Sequence, residues 1–131
     1  MMIELPCLRC RKPTLHFDVY VLLPVCGDCL KPPEQEDGRM DCLLCDYPTT
    51  LWGCRELPSS PICGRCRQQG HSVHVGVMQR YLLSLTTDER SAWLERFSRF
   101  THRNDAVRKV AEQALGGHPE IRSLLVTWQA T

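Results

Sequence analysis

The sequence predicts an α+β fold, in which two small cysteine-rich units with short strands precede a bundle of three or four helices. Three observations lead to this prediction. A cysteine-containing phrase occurs twice, and a second cysteine pair completes each copy. Cysteine is absent after residue 66, and helical periodicity begins after about Gly76. Because the chain has only 131 residues, each small unit needs stabilisation beyond a hydrophobic core.

The repeated phrase reads CLRCRKPT at Cys7–Thr14 and CLLCDYPT at Cys42–Thr49. Each copy continues into a second pair, within PVCGDC at 24–29 or PICGRC at 61–66. The inner cysteines are separated by 15 residues in the first copy and by 17 in the second. Two copies indicate a tandem module, and the proline-rich and acidic stretch between them is typical of a linker.

Eight of the nine cysteines form four C-x-x-C pairs, and two such pairs at this spacing complete a tetrahedral Zn²⁺ site. Four thiolates leave no open position on the metal, so both predicted zinc ions are structural and contribute folding free energy. A disulfide framework and a redox motif fit the pattern less well. The predicted ligands are Cys7, Cys10, Cys26, Cys29, Cys42, Cys45, Cys63 and Cys66.

Two pairings of the four cysteine pairs are open. Each copy can hold its own zinc, or a cross-brace can join the first pair to the third and the second to the fourth; the repeat favours the first arrangement.

Gly27 and Gly64 are expected to supply positive φ in tight knuckles. Cys54 stands outside the pairs and is interpreted as a small, partly buried hydrophobic residue.

The second copy, CLLCDYPTTLWGCRELPSSPICGRC, resembles a GATA-type zinc finger in its cysteine spacing and in the pair Leu51-Trp52 after Thr49 and Thr50. The resemblance implies a treble-clef arrangement, with short hairpins followed by a helix that starts at the last cysteine pair and contacts DNA. The basic pair expected after the tryptophan is replaced by Gly53-Cys54. The β-branched and aromatic run 15–23 of the first copy predicts a strand or hairpin arm, which agrees with a zinc-ribbon or treble-clef unit.

The predicted organisation has four parts. Residues 1–33 form the first four-cysteine zinc unit, 34–41 a linker, 42–75 the second four-cysteine zinc unit, and 76–131 the helical bundle, which is expected to pack against the second unit.

Thr86 and Glu89 match a capping box. His71 and His74 are interpreted as surface or helix-start residues. Apolar residues at helical spacing are expected in the core: Val77, Met78, Tyr81, Leu82, Leu85, Trp93, Phe97, Phe100, Val107, Val110, Ala111, Ala114, Leu115, Ile121, Leu124, Leu125 and Trp128.

Local arginines are the candidate nucleic-acid contacts, namely Arg65 and Arg67 after the second knuckle and a helical face of Arg96, Arg99 and Arg103. The formal charge is +1, and eight thiolates with two Zn²⁺ shift it to about −3. This charge lacks the basic excess typical of duplex binding.

The sequence favours a non-enzymatic, zinc-binding protein associated with nucleic acid (DNA or RNA) or with a nucleoprotein assembly. The alternative is a protein-binding adapter or inhibitor of phage or plasmid origin that uses the zinc units as rigid platforms. Neither a catalytic constellation nor a small-molecule substrate is expected. The reduced cysteines and the short apolar run Val19–Val25 predict a cytoplasmic protein without membrane insertion.

Overall fold

A computed structural model describes residues 3–18, 21–30, 39–58, 60–70, 72–100 and 105–130. Most of the predicted linker, together with Arg103 and His71, lies outside the described residues. The predicted α+β fold is confirmed, because short antiparallel strand pairs precede the helices.

The described residues of the first unit form two hairpins and a 3₁₀ turn. Strands β1 (Leu5–Pro6) and β2 (Pro13–Thr14) pair around the first knuckle, and β3 (Phe17–Asp18) pairs with β4 (Leu23–Pro24). The 3₁₀ turn follows at Gly27–Leu30. The described residues of the run predicted as a strand or hairpin arm, 15–18 and 21–23, thus contribute to both strands of a hairpin.

The second unit repeats the first knuckle hairpin in register. Strands β5 (Met40–Asp41) and β6 (Pro48–Thr49) pair Met40 with Thr49, as β1 and β2 pair Leu5 with Thr14. Helix α1 (Gly64–Arg67) begins between the last two cysteines, at the place that the GATA resemblance implies, but it has only four residues.

Positive φ occurs in each knuckle one residue after the first cysteine pair. Arg11 has φ 66° and Asp46 has φ 65°, and each of these residues donates its N–H to the carbonyl of the first cysteine of its pair. The prediction that Gly27 and Gly64 supply positive φ is wrong, since neither has it. In each copy, the tight turn with positive φ therefore follows the first cysteine pair and not the second.

Four helices follow, as predicted: α2 (Ser72–Leu83), α3 (Thr87–Phe100), α4 (Asp105–Gly116) and α5 (Arg122–Gln129). The predicted apolar stripes lie in the core, with Leu125 and Trp128 half-buried; the side chain of Phe100 lies outside the described residues. α2 packs on α4, and α5 packs on both α3 and α4. The Trp93 and Phe97 rings stack with their centroids 4.7 Å apart.

The capping box at the start of α3 is confirmed. The Thr86 N–H donates to Glu89 Oε1 at 2.8 Å, and the Glu89 N–H donates to Thr86 Oγ1 at 3.2 Å. These reciprocal bonds satisfy two backbone donors that the first helical turn leaves free.

The helices are joined to the first unit by buried side chains that donate to its backbone carbonyls. Leu22, with φ 56°, lies in the turn between β3 and β4, where the chain directs successive carbonyls toward the helices. Buried carbonyls need donors, and the helices supply them. The bonds join Trp93 Nε1 to Leu22 O (3.0 Å), His74 Nε2 to Val21 O (3.0 Å) and the Tyr81 hydroxyl to Pro6 O (2.6 Å).

The bundle also contacts the second unit, through α2. Arg80 donates to the Leu43 carbonyl at 3.2 Å and pairs with Asp46. A Cβ atom at Gly76 would lie 2.5 Å from Leu44 Cδ1, so glycine allows α2 to approach the second knuckle closely. The bundle thus packs against the second unit, as expected, and it also packs against the first. Of the two positions expected for His74, surface or helix start, the structure shows the second: His74 lies in the first turn of α2, and its side chain is buried.

Replacing Tyr81 with phenylalanine should destabilise the zinc-loaded protein by about 1–3 kcal/mol, because the buried Pro6 carbonyl loses its donor. The matched control is Tyr47→Phe, which removes an exposed hydroxyl and should change stability by less than about 0.5 kcal/mol. Denaturant unfolding at saturating zinc measures both changes, and equal losses would show that the Tyr81 bond contributes nothing.

His74 should make stability depend on pH. Burial lowers the pKa of His74 below its ordinary value of 6.5, against the opposing effects of the Val21 carbonyl, Asp18 and Glu56. The unfolded chain takes up a proton below pH 6.5 while the folded chain does not, so this contribution is full above pH 6.5 and is lost as the pH falls toward the folded-state pKa.

The test compares His74→Gln, which keeps a donor for Val21 but does not titrate, with the parent chain. At saturating zinc, the loss of stability between about pH 7.5 and about pH 5.5 should be smaller in the variant. Parallel pH profiles of the two chains would contradict the assignment.

Candidate metal centres

The eight predicted ligands form two groups of four cysteines, one within each copy. The sulfur atoms within each group all lie within 4.8 Å of one another. The sequential pairing is therefore confirmed, and the cross-brace is not formed. We call these groups the first zinc centre (Cys7, Cys10, Cys26, Cys29) and the second zinc centre (Cys42, Cys45, Cys63, Cys66).

The sulfur geometry fits zinc rather than disulfides. Cys10 Sγ and Cys26 Sγ are 3.7 Å apart, and Cys45 Sγ and Cys63 Sγ are 3.6 Å apart. A tetrahedron with a Zn–S distance of about 2.3 Å has an S···S edge of roughly 3.8 Å. All nine cysteines are free thiols. The two groups are thus sites for two structural zinc ions.

Backbone donors favour thiolates in both centres. The Cys26 N–H donates to Cys7 Sγ and the Leu44 N–H donates to Cys42 Sγ, each at 3.4 Å. Burial opposes ionisation of Cys7, but the N–H groups around its sulfur outweigh burial and lower its pKa to about 7. In the second centre, the backbone of Cys66 lowers the pKa of Cys63 to about 7.

The remaining thiols ionise less readily without a cation. Burial, together with neighbouring sulfurs, raises the pKa of Cys29 and of Cys66. Four thiolates in so small a volume repel one another, and a dication removes that repulsion. With four sulfur ligands, neither centre has a position for water or substrate, which makes both structural.

Cys54 belongs to neither centre. It is half-buried against the core, and its N–H donates to the Leu57 carbonyl at 3.1 Å. This position agrees with its interpretation as a small hydrophobic residue.

Sequence analysis missed a group of arginines between the two units. Arg9 donates to the Cys29 carbonyl at 2.7 Å and lies 4.6 Å from the Trp52 ring centroid. Arg11 lies over the Tyr81 ring, at 5.5 Å. Each four-thiolate zinc centre has a net charge of −2, so cations beside the first knuckle offset it. The signal was the basic CLRCRK phrase of the first copy, but only the fold places Trp52 against it.

The predicted nucleic-acid residues have different surroundings. Arg65 is exposed. Arg67 donates through Nε to the Ile62 carbonyl at 2.9 Å, and Arg99 pairs with Glu95 at 2.8 Å. Arg96 is only 6% exposed, so it does not share an open face with Arg99. Arg103 lies outside the described residues.

A shallow cavity of about 570 Å³ lies beside the second zinc centre. Tyr47, Arg65 and Gln69 line it together with three ligands of the second zinc centre, Cys45, Cys63 and Cys66. Tyr47 is 68% exposed and Leu51 is 43% exposed, and a Cβ at Gly64 would lie 3.7 Å from Leu51 Cδ1. We call these residues, Tyr47, Leu51, Arg65 and Gln69, the outer face of the second unit.

No family model matches the chain, and neither curated proteins nor solved structures give a significant match. The resemblance of the second copy to GATA-type fingers therefore stays a prediction. Among the described residues, no helix combines the length and the apolar character needed to cross a membrane.

Zinc content should follow the two groups of ligands. The parent chain should bind two zinc ions, and Cys45→Ser should reduce this to one because the second centre loses a thiolate. Cys54→Ser is the matched control and should retain both ions. Native mass spectrometry measures the stoichiometry; loss of a zinc ion in Cys54→Ser would contradict the ligand assignment. Chelation of both ions should also unfold the parent chain.

Proposed function

We propose that the chain is a non-enzymatic, nucleic-acid-associated protein that binds a single strand on the outer face of its second unit. The observation that carries this proposal is that Tyr47 and Arg65 are both exposed and line one cavity. A stacking aromatic ring beside a cation is the combination that single-stranded nucleic acid requires, because every base has a π-face and every nucleotide a phosphate.

The charge of the protein favours a single strand over a duplex. Duplex affinity depends mainly on the number of phosphates neutralised, and a metallated chain near −3 offers few free cations for that purpose. Stacking on Tyr47 does not depend on net charge. The second zinc centre holds the Tyr47 turn and the start of α1 in fixed positions, since its four ligands flank both segments. The face is therefore rigid before it meets a ligand.

The surroundings of the α3 arginines favour the second unit as the contact surface. Arg99 already has a carboxylate partner in Glu95, and Arg96 is buried. A phosphate that contacts Arg99 must compete with Glu95. Arg65 is exposed, and no partner for it is found among the described residues.

A protein-binding adapter is the second candidate. The exposed side chains of Tyr47 and Leu51 lie on the same unit and give the outer face apolar area that a protein could cover. In this case a partner protein, not an oligonucleotide, would bind this face, with Tyr47 as the central contact.

The nucleic-acid proposal predicts a specific pattern of mutational effects. Tyr47→Ala should weaken binding of a single-stranded oligonucleotide by about 1–3 kcal/mol, or roughly 5- to 150-fold, because one base loses its stacking partner. Arg65→Gln should make the slope of log affinity against log salt shallower by about 0.7, because one phosphate contact is lost. Fluorescence anisotropy across a salt series, with zinc-loaded protein, measures both.

The fold supplies matched controls. Lys12 occupies the position of the first copy that corresponds to Tyr47, and Arg99 is an exposed arginine of α3. Lys12→Ala and Arg99→Gln should leave affinity and salt slope unchanged. If the parent chain binds no oligonucleotide at low salt, the nucleic-acid proposal is wrong. Retention of a purified partner protein that Tyr47→Ala abolishes would then support the adapter.

A further inference from the structure

Arg96 is a buried cation whose terminal nitrogens lack acceptors. The residue lies on α3 and is 6% exposed, and both Nη1 and Nη2 are inaccessible and have no hydrogen-bond partner in the described part of the chain. Removing a guanidinium from water without giving it an acceptor is unfavourable. No other buried side-chain nitrogen or oxygen of the described residues is left in this state.

A cavity of about 330 Å³ lies along the same helix, and Arg96 contributes to its lining. Ile3 and Ala92 give the cavity an apolar side, while Ser91 adds a hydroxyl that can donate a hydrogen bond. Arg99 and Glu95 also line it and pair with each other at 2.8 Å. Their charges cancel, so Arg96 is the cation in this cavity that lacks a partner among the described residues.

The cavity selects among possible anions. A carboxylate presents two coplanar oxygens that match the two terminal nitrogens of a guanidinium. A phosphate would add a second negative charge next to Asp88 and Glu95, which also line the cavity. The apolar side formed by Ile3 and Ala92 suits a hydrocarbon tail and not a second charged group.

We propose that this cavity binds a monocarboxylate with a short apolar tail, and that Arg96 pairs with its carboxylate. Because both Nη atoms of Arg96 are inaccessible, binding requires its side chain to turn toward the cavity. Ile3, which is 55% exposed, lines the apolar side, where the tail would lie. The site is separate from the outer face of the second unit, and the proposal does not depend on nucleic-acid binding.

The test uses the zinc-loaded full chain labelled with ¹⁵N. Hexanoate, added as the probe, should shift the Arg96 side-chain resonances saturably and raise the thermal midpoint. Hexanamide, which has the same tail without the charge, and inorganic phosphate should do neither. If hexanoate has no effect, or if phosphate binds as tightly as hexanoate, the proposal fails.

Two variants separate the ligand site from a purely structural arginine. Arg96→Met should weaken hexanoate binding by roughly 10- to 100-fold, because the charge-assisted pair is lost. Its stability without ligand should be equal to or above that of the parent, since an unpartnered buried charge is removed. Arg99→Met is the matched control and should keep the parent affinity. Hexanoate binding that survives in a folded Arg96→Met variant overturns the proposal. If the variant fails to fold, the resonance titration of the parent chain with hexanoate, hexanamide and phosphate decides the proposal by itself.

Discussion

The structure depends on the neutralisation of four thiolates in each of two very small volumes. Sulfur atoms that all lie within 4.8 Å of one another repel strongly once they ionise, and only a cation at their centre makes the arrangement stable. In the first unit, zinc binding also fixes the position of backbone beyond the four ligands. The hairpin between β3 and β4 ends two residues before Cys26, so zinc also positions the turn whose carbonyls accept bonds from Trp93 and His74. Folding of the helices is in this way coupled to metal binding in the unit that precedes them.

Much of the local structure could be predicted because its determinants are close together in sequence. The cysteine spacing, the capping box at Thr86 and Glu89, and the helical stripes each depend on residues within about one or two turns or within one repeat. The zinc pairing was predictable because a duplicated unit holds its own ligands. The positive φ shared by Arg11 and Asp46 was not, since arginine seldom adopts it and the same hydrogen bond to the first cysteine of the pair accompanies it in both knuckles.

The contacts that sequence reasoning missed connect distant residues. Tyr81 and Pro6 are 75 positions apart, and Trp93 and Leu22 are 71 apart. The sequence does not show which carbonyl accepts each bond, because every residue has a backbone carbonyl. The burial of Arg96 could not be predicted from local sequence for the same reason. Its spacing from Arg99 placed it on a polar helical face, but tertiary packing buries it, and α3 packs against both α5 and β1. Local periodicity predicts which face a residue occupies and does not predict what covers that face.

The two copies differ at the positions where their knuckles meet the rest of the molecule. Arg9 of the first copy contacts the Trp52 ring of the second unit and the Cys29 carbonyl, whereas Leu44, its counterpart, packs against α2 at Gly76. Both knuckles thus use this position for internal contacts, one polar and one apolar. The next differences face outward: Lys12 corresponds to Tyr47, and Asp28 corresponds to Arg65. In the second copy these substitutions place an aromatic ring and a cation beside one cavity, while the first copy has a lysine and an aspartate at the two positions. A duplicated zinc unit needs only its ligands and its turns to fold, so the outward positions are free to differ. The first unit therefore serves mainly as the surface on which the helices fold, and the second unit supports an exposed face that folding does not require.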